Sequence, residues 1–177
     1  MQSPIGDHKT LERVELSEGL VAYRCPQSGG HWIPAESYWK WRSSLPDSLV
    51  EDHAEDAPHP AGDYDGLVKI CPESGTIMTR YRVGHGLEFR VDRSNTGGIW
   101  LDGGEWEALE ASGLHRSIHR IFTAPWQRAI RDESRDASYR EQLVGRLGAD
   151  LVGKIESLRK ELADHPGREI ALAFLHS

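Results

Sequence analysis

The feature of this sequence that most limits its possible folds is a short motif that occurs twice, 68 positions apart. A glycine pair, one further residue and a tryptophan occupy residues 29–32 and again residues 97–100. Glycine is favoured where the backbone must turn with a positive φ angle. Each tryptophan is followed by an aliphatic residue, as in a short buried strand. The motif therefore predicts two similar turn-and-strand elements within one chain.

The apolar pattern around both motifs predicts short strands followed by short helices. Apolar runs at residues 11–16 and 20–23 precede the first motif, and residues 66–102 alternate between apolar and polar side chains. Alternation of this kind is typical of antiparallel strands joined by hairpins. Residues 35–42 carry three aromatic side chains and suit a helix, and a helical pattern begins at Glu105. We expect an α+β fold with two small antiparallel β elements, each followed by a short helix, and a C-terminal helical segment.

The C-terminal segment carries an apolar stripe at spacings of three and four residues, which is typical of one face of a helix. The stripe consists of Leu143, Leu147, Leu151, Ile155, Leu158 and Leu162. Gly148 predicts a break in the helix, with Asp150 as the new N-cap, and residues 169–175 predict a final short helix. We interpret the stripe as core packing, and a dimer seam is the alternative.

A change in composition suggests how the chain is divided. Residues 45–65 contain seven Asp or Glu, three Pro and two His with little apolar content, which is typical of a solvated linker. The predicted segments are an N-terminal β element at 1–44, an acidic linker at 45–65, a second β element at 66–112 and a C-terminal helical segment at 113–177. We expect a domain boundary in the linker.

Charge and composition exclude several classes of function. The formal net charge is −7, and residues 1–65 hold five Lys or Arg against twelve Asp or Glu. We therefore do not expect nucleic acid as a partner, because non-specific affinity depends on cationic side chains that neutralise phosphates. No apolar run of 18 residues predicts membrane insertion, and the N-terminus lacks the pattern of a signal peptide. We expect a cytoplasmic protein whose two cysteines are free thiols.

The second motif resembles a known family. Residues 97–105 read Gly-Gly-Ile-Trp-Leu-Asp-Gly-Gly-Glu, which is similar to the closing half of the small zinc-ribbon family named for its likeness to the ribbon of transcription factor IIB. That family's pattern is Cys-x-x-Cys-Gly-Gly-x-Trp-Leu-Asp-x-Gly-Glu. The resemblance covers residues 68–110 well and residues 20–42 loosely. It implies ribbon-like β elements and, in the family, one zinc ion held by two Cys-x-x-Cys knuckles.

Most of the implied zinc ligands are missing from this chain. Carried over by position, the ligand places of the second element are Cys71, Ser74, Arg93 and Thr96. Only one of them carries a thiol, whereas a structural zinc ion needs four ligands. We therefore expect no zinc and no other cofactor.

The first element shows the same loss of ligands. Its closing places are Cys25 and Ser28, and no cysteine precedes them. One alternative stays open, in which the two elements share a hybrid zinc site. Its ligands would be Cys25, His31, Cys71 and His85.

The remaining functional signal is a basic segment at residues 114–131, which has four arginines and no acidic residue. The predicted partner-binding residues are Arg116, Arg120, Trp126, Arg128 and Arg131. Arginine beside tryptophan is the composition that interface hot spots favour. Alternatively, these arginines face the acidic linker.

No catalytic motif stands out in the sequence. Asp102 and Glu105 are better explained as an N-cap and its capping-box partner than as an acid and base pair, so we expect no enzyme. The sequence predicts a non-catalytic protein-interaction scaffold whose partner is another protein. The alternatives are a nucleic-acid-associated regulator and a zinc-binding protein with the hybrid Cys/His site.

Overall fold

Two segments with the same order of elements, three strands and then a helix, build one antiparallel sheet in the computed structural model, which describes residues 1–46 and 64–175. The first half-sheet contains β1 (Glu12–Leu16), β2 (Leu20–Arg24), β3 (His31–Ile33) and α1 (Ala35–Ser44). The second half-sheet contains β4 (Thr79–Gly84), β5 (Leu87–Arg93), β6 (Ile99–Leu101) and α2 (Glu105–Ala111). The predicted α+β class, with a helix after each β element, is confirmed.

The two half-sheets join through their third strands. The strand order is β1-β2-β3-β6-β5-β4, and β3 and β6 are antiparallel. Trp32 pairs directly with Trp100 at this junction. Equivalent residues meet each other in a twofold arrangement, so the junction has the register that two similar halves require.

The second glycine of each motif makes room for the tryptophan of the other half-sheet. A Cβ atom at Gly30 would lie 2.3 Å from the Trp100 ring, and a Cβ atom at Gly98 would lie 2.3 Å from the Trp32 ring. Real Cβ atoms do not approach other heavy atoms so closely, because protein interiors are already close-packed. The reciprocal contact explains why both motifs combine a glycine and a tryptophan.

The first glycine of each motif supplies the turn. Gly29 has a φ angle of 74° and Gly97 has a φ angle of 89°, in a region that residues with a Cβ atom rarely adopt. The positive φ expected of the glycine pairs is therefore found at the first glycine, whereas the second is required by packing.

The two faces of the sheet pack into separate apolar clusters. One cluster contains Leu11, Cys25, Trp32, Cys71, Met78 and Trp100. The larger cluster lies where α1 and α2 cover the sheet, and it includes Ile33, Tyr38, Trp41, Leu101, Trp106 and Leu109. Alternate residues of β3 and β6 thus serve opposite faces, as the period of a strand requires.

Among the described residues, α2 is followed by a 3-10 helix at Leu114–Ser117 and then by four α-helices, namely α3 (Ile118–Ile121), α4 (Ala124–Leu147), α5 (Ala149–Leu162) and α6 (Arg168–Leu175). Pro125 lies in the first turn of α4, where the missing N–H of proline costs no hydrogen bond. The predicted break at Gly148 is present, with a φ angle of 82°. Gly148 itself takes the N-cap position predicted for Asp150, which instead lies in the first turn of α5.

The chain forms two compact units, Met1–Ile130 and Arg131–Ser177. The first unit contains both half-sheets, although the sequence suggests a boundary between them. Backbone hydrogen bonds between β3 and β6 join the half-sheets into one sheet. Of the predicted acidic linker, residues 47–63 lie outside the described residues.

Candidate functional site

Four short turns close with the same backbone hydrogen bond, in which the N–H of the first residue donates to the carbonyl oxygen of the last over 2.8 Å. We name each turn after its first residue. They are the Ser3 turn (residues 3–9), the Cys25 turn (25–30), the Cys71 turn (71–76) and the Ser94 turn (94–98). The Ser3 and Cys25 turns belong with the first half-sheet, and the Cys71 and Ser94 turns belong with the second. The zinc-ribbon resemblance predicts that such turns carry metal ligands, so their side chains decide what this site can hold.

The two cysteine turns retain hydrogen bonds directed at sulfur. The Ser28 N–H donates to Cys25 Sγ over 3.5 Å, and the Ser74 N–H donates to Cys71 Sγ over 3.4 Å. Each turn therefore keeps a backbone suited to a metal ligand, but each holds only one thiol.

Hydroxyl and amide groups close the site between the Cys71 turn and the Ser94 turn. The Ser74 hydroxyl donates to Asn95 Oδ1 over 2.9 Å, which joins the two turns. Ser94 Oγ lies 2.5 Å from Thr96 Oγ1. Burial alone would raise the pKa of Cys71, but hydrogen bonds from Ser74 and Ser94 outweigh burial and lower it. Neutral hydrogen bonds thus connect the positions at which a ribbon would use thiolates.

The first position of the Ser94 turn lies one residue later in the chain than the first ligand position of the family pattern. That pattern places a ligand at Arg93, whereas the structure places Ser94 opposite Cys71. The Ser94 turn is one residue shorter than the Cys25 turn, and this shifts the first position. The Arg93 guanidinium instead lies over the Phe122 ring, 4.9 Å from its centroid.

The Ser3 turn is the partner of the Cys25 turn, and sequence reasoning missed it because it contains no cysteine. Cys25 Sγ donates to Asp7 Oδ2 over 3.1 Å. Partial burial raises the pKa of Asp7, but hydrogen bonds from Cys25 and the Lys9 N–H outweigh burial and lower it. A signal was present in the sequence, since Ser3-Pro4 precedes Cys71-Pro72 by the same 68 positions that separate the two tryptophans.

The residues of the alternative hybrid zinc site are not gathered in one place. His31 lies on the central strand β3, where burial lowers the pKa of its ring. His85 lies in the turn after β4, and its ring is 4.6 Å from the Trp126 ring. Within residues 1–46 and 64–175, no group of three or more potential metal ligands includes Cys25 or Cys71. The structure therefore gives the hybrid site no common position.

A buried ion cluster lies in the second half-sheet, and the sequence analysis did not predict it. The Lys69 ammonium lies 2.8 Å from a carboxylate oxygen of Asp92 and 2.8 Å from one of Asp102. All three residues are buried. Burial favours the neutral amine, but the two carboxylates outweigh it and raise the pKa of Lys69. Asp102 also accepts a hydrogen bond from Trp100 Nε1 over 2.7 Å, so the cluster is attached to the central tryptophan.

Glu105 completes the cluster as a largely neutral acid. Burial first, and then the negative charge of Asp102, raise the pKa of Glu105 to about 9. Its Oε2 accepts the backbone N–H of Asp102 over 2.7 Å, which is half of the predicted capping box. The other half is missing because the Asp102 carboxylate is held by Lys69 and Trp100, and Gly104 takes the N-cap position.

Asp65, Asp102 and Glu105 form the one group of three or more potential ligands found among the described residues, with ligand atoms within 4.8 Å of one another. Carboxylates of this kind suit a hard divalent cation. The Lys69 ammonium, however, already offsets the charge of Asp102, and the raised pKa keeps a proton on Glu105 at neutral pH. A cation at this group would therefore have to compete with that ammonium and that proton.

The structure places the predicted partner-binding residues in different settings. Arg116 forms an ion pair with Glu18, so it pairs with the first half-sheet. Trp126 is half-buried and donates from Nε1 to the carbonyl oxygen of Val83 over 2.9 Å, which attaches the start of α4 to β4. Arg120 and Arg128 are exposed.

Arg131 is also exposed, but it begins the second unit. The predicted segment 114–131 therefore spans the division of the chain, and only its first seventeen residues belong to the unit that carries the sheet.

An exposed aromatic side chain near this segment was not identified from the sequence. Trp39 on α1 exposes 48% of its surface, whereas its neighbours Tyr38 and Trp41 are buried. The Trp39 ring lies 5.3 Å from the His119 ring, and the Tyr38 hydroxyl lies 2.7 Å from His119 Nδ1. The guanidinium of Arg120 lies 5.9 Å from the Trp126 ring. Trp39 and Trp41 lie only two positions apart on α1, so the sequence distinguishes the exposed tryptophan from the buried one only through the helical period.

Comparison of the chain with family models, curated proteins and solved structures gives no match. The resemblance to the zinc-ribbon family therefore rests on the residues quoted above. Among the described residues, no helix has both the length and the apolar content needed to cross a membrane.

Proposed function

We propose that this protein is a non-catalytic protein-interaction scaffold, with a partner-binding surface formed by Trp39 and the adjoining part of the segment 114–131. The observation that carries the proposal is the exposure of Trp39, at 48%, beside His119. Tryptophan and arginine are enriched in interface hot spots, and Trp39 contacts His119, the residue before the exposed Arg120.

The framework under this surface is suited to a binding role. α1 is anchored by buried Tyr38 and Trp41, and Tyr38 also contacts His119 through its hydroxyl group. The pKa of Tyr38 is raised to about 12, chiefly by burial, so this hydroxyl keeps its proton. A rigid aromatic side chain loses little conformational entropy when it binds. Trp39 is therefore presented on a helix that need not rearrange.

The charge of the surface indicates the chemistry of its partner. Arg120 and Arg128 are exposed, in a chain with a formal net charge of −7. A local basic patch on an acidic protein favours a partner with acidic and aromatic side chains, because repulsion by the rest of the surface opposes a polyanion. Arg116 and Trp126 would support this surface from within, through their contacts with Glu18 and Val83.

The proposal is tested by recovering partners from native lysate with the full chain as bait. Trp39→Ala and the pair Arg120→Glu with Arg128→Glu should each lower recovery of the same protein at least about tenfold, which is the size of a hot-spot loss. Arg13→Glu, at an exposed position of β1, is the matched control. Unchanged recovery by the folded variants would reject this surface.

The nucleic-acid alternative makes a different prediction for the same variants. Phosphate-driven binding must weaken steeply as salt concentration rises, and it should not depend on the uncharged Trp39. Binding of double-stranded DNA with that salt dependence, unaffected by Trp39→Ala, would replace the proposal with the nucleic-acid role.

A further inference from the structure

The second unit, Arg131–Ser177, has almost no core of its own. Val152 is the one buried side chain among its described residues, 131–175. Helices in globular proteins gain most of their stability from packing an apolar face, and units of this size rarely bury enough surface to be stable alone. The apolar faces of this unit are therefore expected to pack against another surface, which we call their cover.

Those faces are large and solvent-exposed. The exposed apolar side chains are Tyr139, Leu147, Leu151, Ile155, Leu158, Ile170, Phe174 and Leu175, with exposures between 39% and 79%. A groove of about 890 Å³ runs between α4 and α5 and is lined by apolar side chains that include Leu143, Leu147 and Ile155. Half of the apolar stripe predicted as core packing, Leu143, Leu147 and Ile155, thus lines an open groove.

α4 and α5 form a helical hairpin. They are separated only by Gly148, and Arg140 of α4 binds Glu156 of α5, each eight positions from that glycine. This ion pair is exposed and contributes little stability. Hairpins whose apolar faces are open are the usual building blocks of four-helix bundles, in which two hairpins cover each other.

The charge of this unit favours a second copy of the same chain as the cover. Residues 131–177 hold eight Lys or Arg and nine Asp or Glu, whereas residues 1–130 hold thirteen and nineteen. A nearly neutral surface with both signs on its groove, such as Asp136 and Arg159, can be complementary to itself. A twofold interface needs this property, because each residue pair occurs twice with the partners exchanged.

The available area also fits a dimer. Eight large apolar side chains of about 150–200 Å² each, roughly half exposed, give on the order of 700 Å² per copy, close to the ~800 Å² per partner of a standard interface. We propose that two copies of this chain associate through the α4–α5 groove and the apolar side of α6, forming a helical dimer. This inference is independent of the proposed partner surface on the first unit.

Sedimentation equilibrium of the full chain tests the inference, over about 5–200 µM so that a micromolar Kd is bracketed. The wild type should approach twice the chain mass of 19.9 kDa. Ile155→Asp should weaken association at least about 100-fold, because it places a charge in the groove. Ser157→Asp is the matched control, since it adds the same carboxylate to α5 two residues away, outside the groove.

Folding of the two units can be followed separately in the same samples. All six tryptophans lie within residues 1–130, and only Trp126, in the first turn of α4, belongs to a helix of the hairpin. Tryptophan fluorescence therefore reports mainly the first unit. If the helices fold on association, dilution of the wild type should reduce helical circular dichroism in step with dissociation while the fluorescence stays constant. This measurement tests the inference even if Ile155→Asp unfolds the helices. A wild type that remains monomeric and fully helical at the highest concentration would overturn it, as would equal loss of association in Ser157→Asp.

Discussion

The two half-sheets share one framework but surround their central tryptophans differently. In the second half-sheet, Trp100 Nε1 donates to Asp102, two residues later. In the first half-sheet the corresponding residue is Pro34, and the buried Trp32 Nε1 has no hydrogen-bond partner among the described residues. Both rings are fully buried in the same apolar cluster. The framework therefore does not depend on the polar contact, and the ion cluster is an addition peculiar to one half.

The beginnings of α1 and α2 show the same contrast. α1 begins directly after Pro34, whose ring presets a φ angle suited to helix entry. α2 begins after a glycine pair, and Glu105 binds the N–H of Asp102 there. Met1 corresponds to Lys69 at the offset of 68. The Met1 carbonyl oxygen accepts the Leu11 N–H, just after the Ser3 turn, and the Lys69 carbonyl oxygen accepts the Met78 N–H, just after the Cys71 turn. The same backbone arrangement therefore occurs with apolar surroundings in the first half-sheet and with a buried ion cluster in the second.

The largest expected effect comes from removing the buried Lys69 ammonium from the second half-sheet, which we call the ionic half. Lys69→Met should lower the free energy of unfolding by about 3–5 kcal/mol, because Asp102 would remain buried without its cation and Asp92 would keep only Arg80, whose Nε lies 3.4 Å away. Exposed Lys40→Met is the control and should change it by less than about 0.5 kcal/mol. Chemical denaturation followed by tryptophan fluorescence measures both.

The same cluster allows a sharper test of that explanation. If unpaired charge is the cause, adding Asp92→Asn and Asp102→Asn to Lys69→Met should restore most of the lost stability, since replacing a whole buried ion group is often close to neutral. A triple variant as unstable as Lys69→Met would show that packing, and not charge, distinguishes this half.

The glycines at the junction test whether the two halves are equivalent. Gly30→Ala and Gly98→Ala should each destabilise the protein by about 1–3 kcal/mol, because a Cβ atom at either position overlaps the opposite tryptophan ring. The two losses should agree within about 1 kcal/mol. Gly66→Ala is the control, as nothing lies within 4 Å of its Cβ position. Denaturant titration measures the free energy of unfolding of each variant. A large loss of stability at only one junction glycine would contradict the reciprocal packing.

Glu105 should give the ionic half a pH dependence that the first half lacks, since Ser37 occupies the corresponding position. Below pH 4.5 the carboxyl group is protonated in both folded and unfolded chains. As the pH rises toward about 9, the unfolded chain ionises while the folded chain keeps its proton. The free energy of unfolding should therefore fall across this range.

Glu105→Gln should remove that decline, because the amide oxygen can still accept the Asp102 N–H but cannot ionise. Relative to wild type, the variant should gain about 1 kcal/mol or more between pH 5 and pH 8. The exposed Glu107→Gln should leave the profile unchanged. Parallel profiles for wild type and Glu105→Gln would mean that Glu105 ionises normally in the folded chain.

The comparison also shows which parts of the molecule could be predicted from sequence. Local patterns predicted the strands, the helices after them and the break at Gly148, because period and turn chemistry act over a few residues. Pairing of β3 with β6 depends on residues 68 positions apart and was not predicted. The ion cluster was missed for the same reason, since Lys69, Asp92 and Asp102 look like ordinary surface residues until the strands are assembled. The Ser3 turn contains no cysteine, so the knuckle pattern does not identify it.

The smallest effects are expected at the two thiols, where the halves should again behave alike. Cys25 donates to Asp7, and Cys71 lies among the hydroxyl groups of Ser74 and Ser94. A serine hydroxyl can make the same hydrogen bonds, so Cys25→Ser and Cys71→Ser should each cost less than about 1–2 kcal/mol and leave unfolding cooperative.

Zinc content distinguishes this outcome from a retained metal centre. A structural zinc site contributes on the order of 10 kcal/mol, and loss of one thiolate ligand would abolish most of that. Elemental analysis of the purified wild type should find far less than one zinc ion per chain. A ratio near one that survives mild chelation, together with collapse of the fold in both serine variants, would revive the hybrid site. If only one serine variant unfolds without zinc being present, the two halves differ at their turns as they do at their tryptophans.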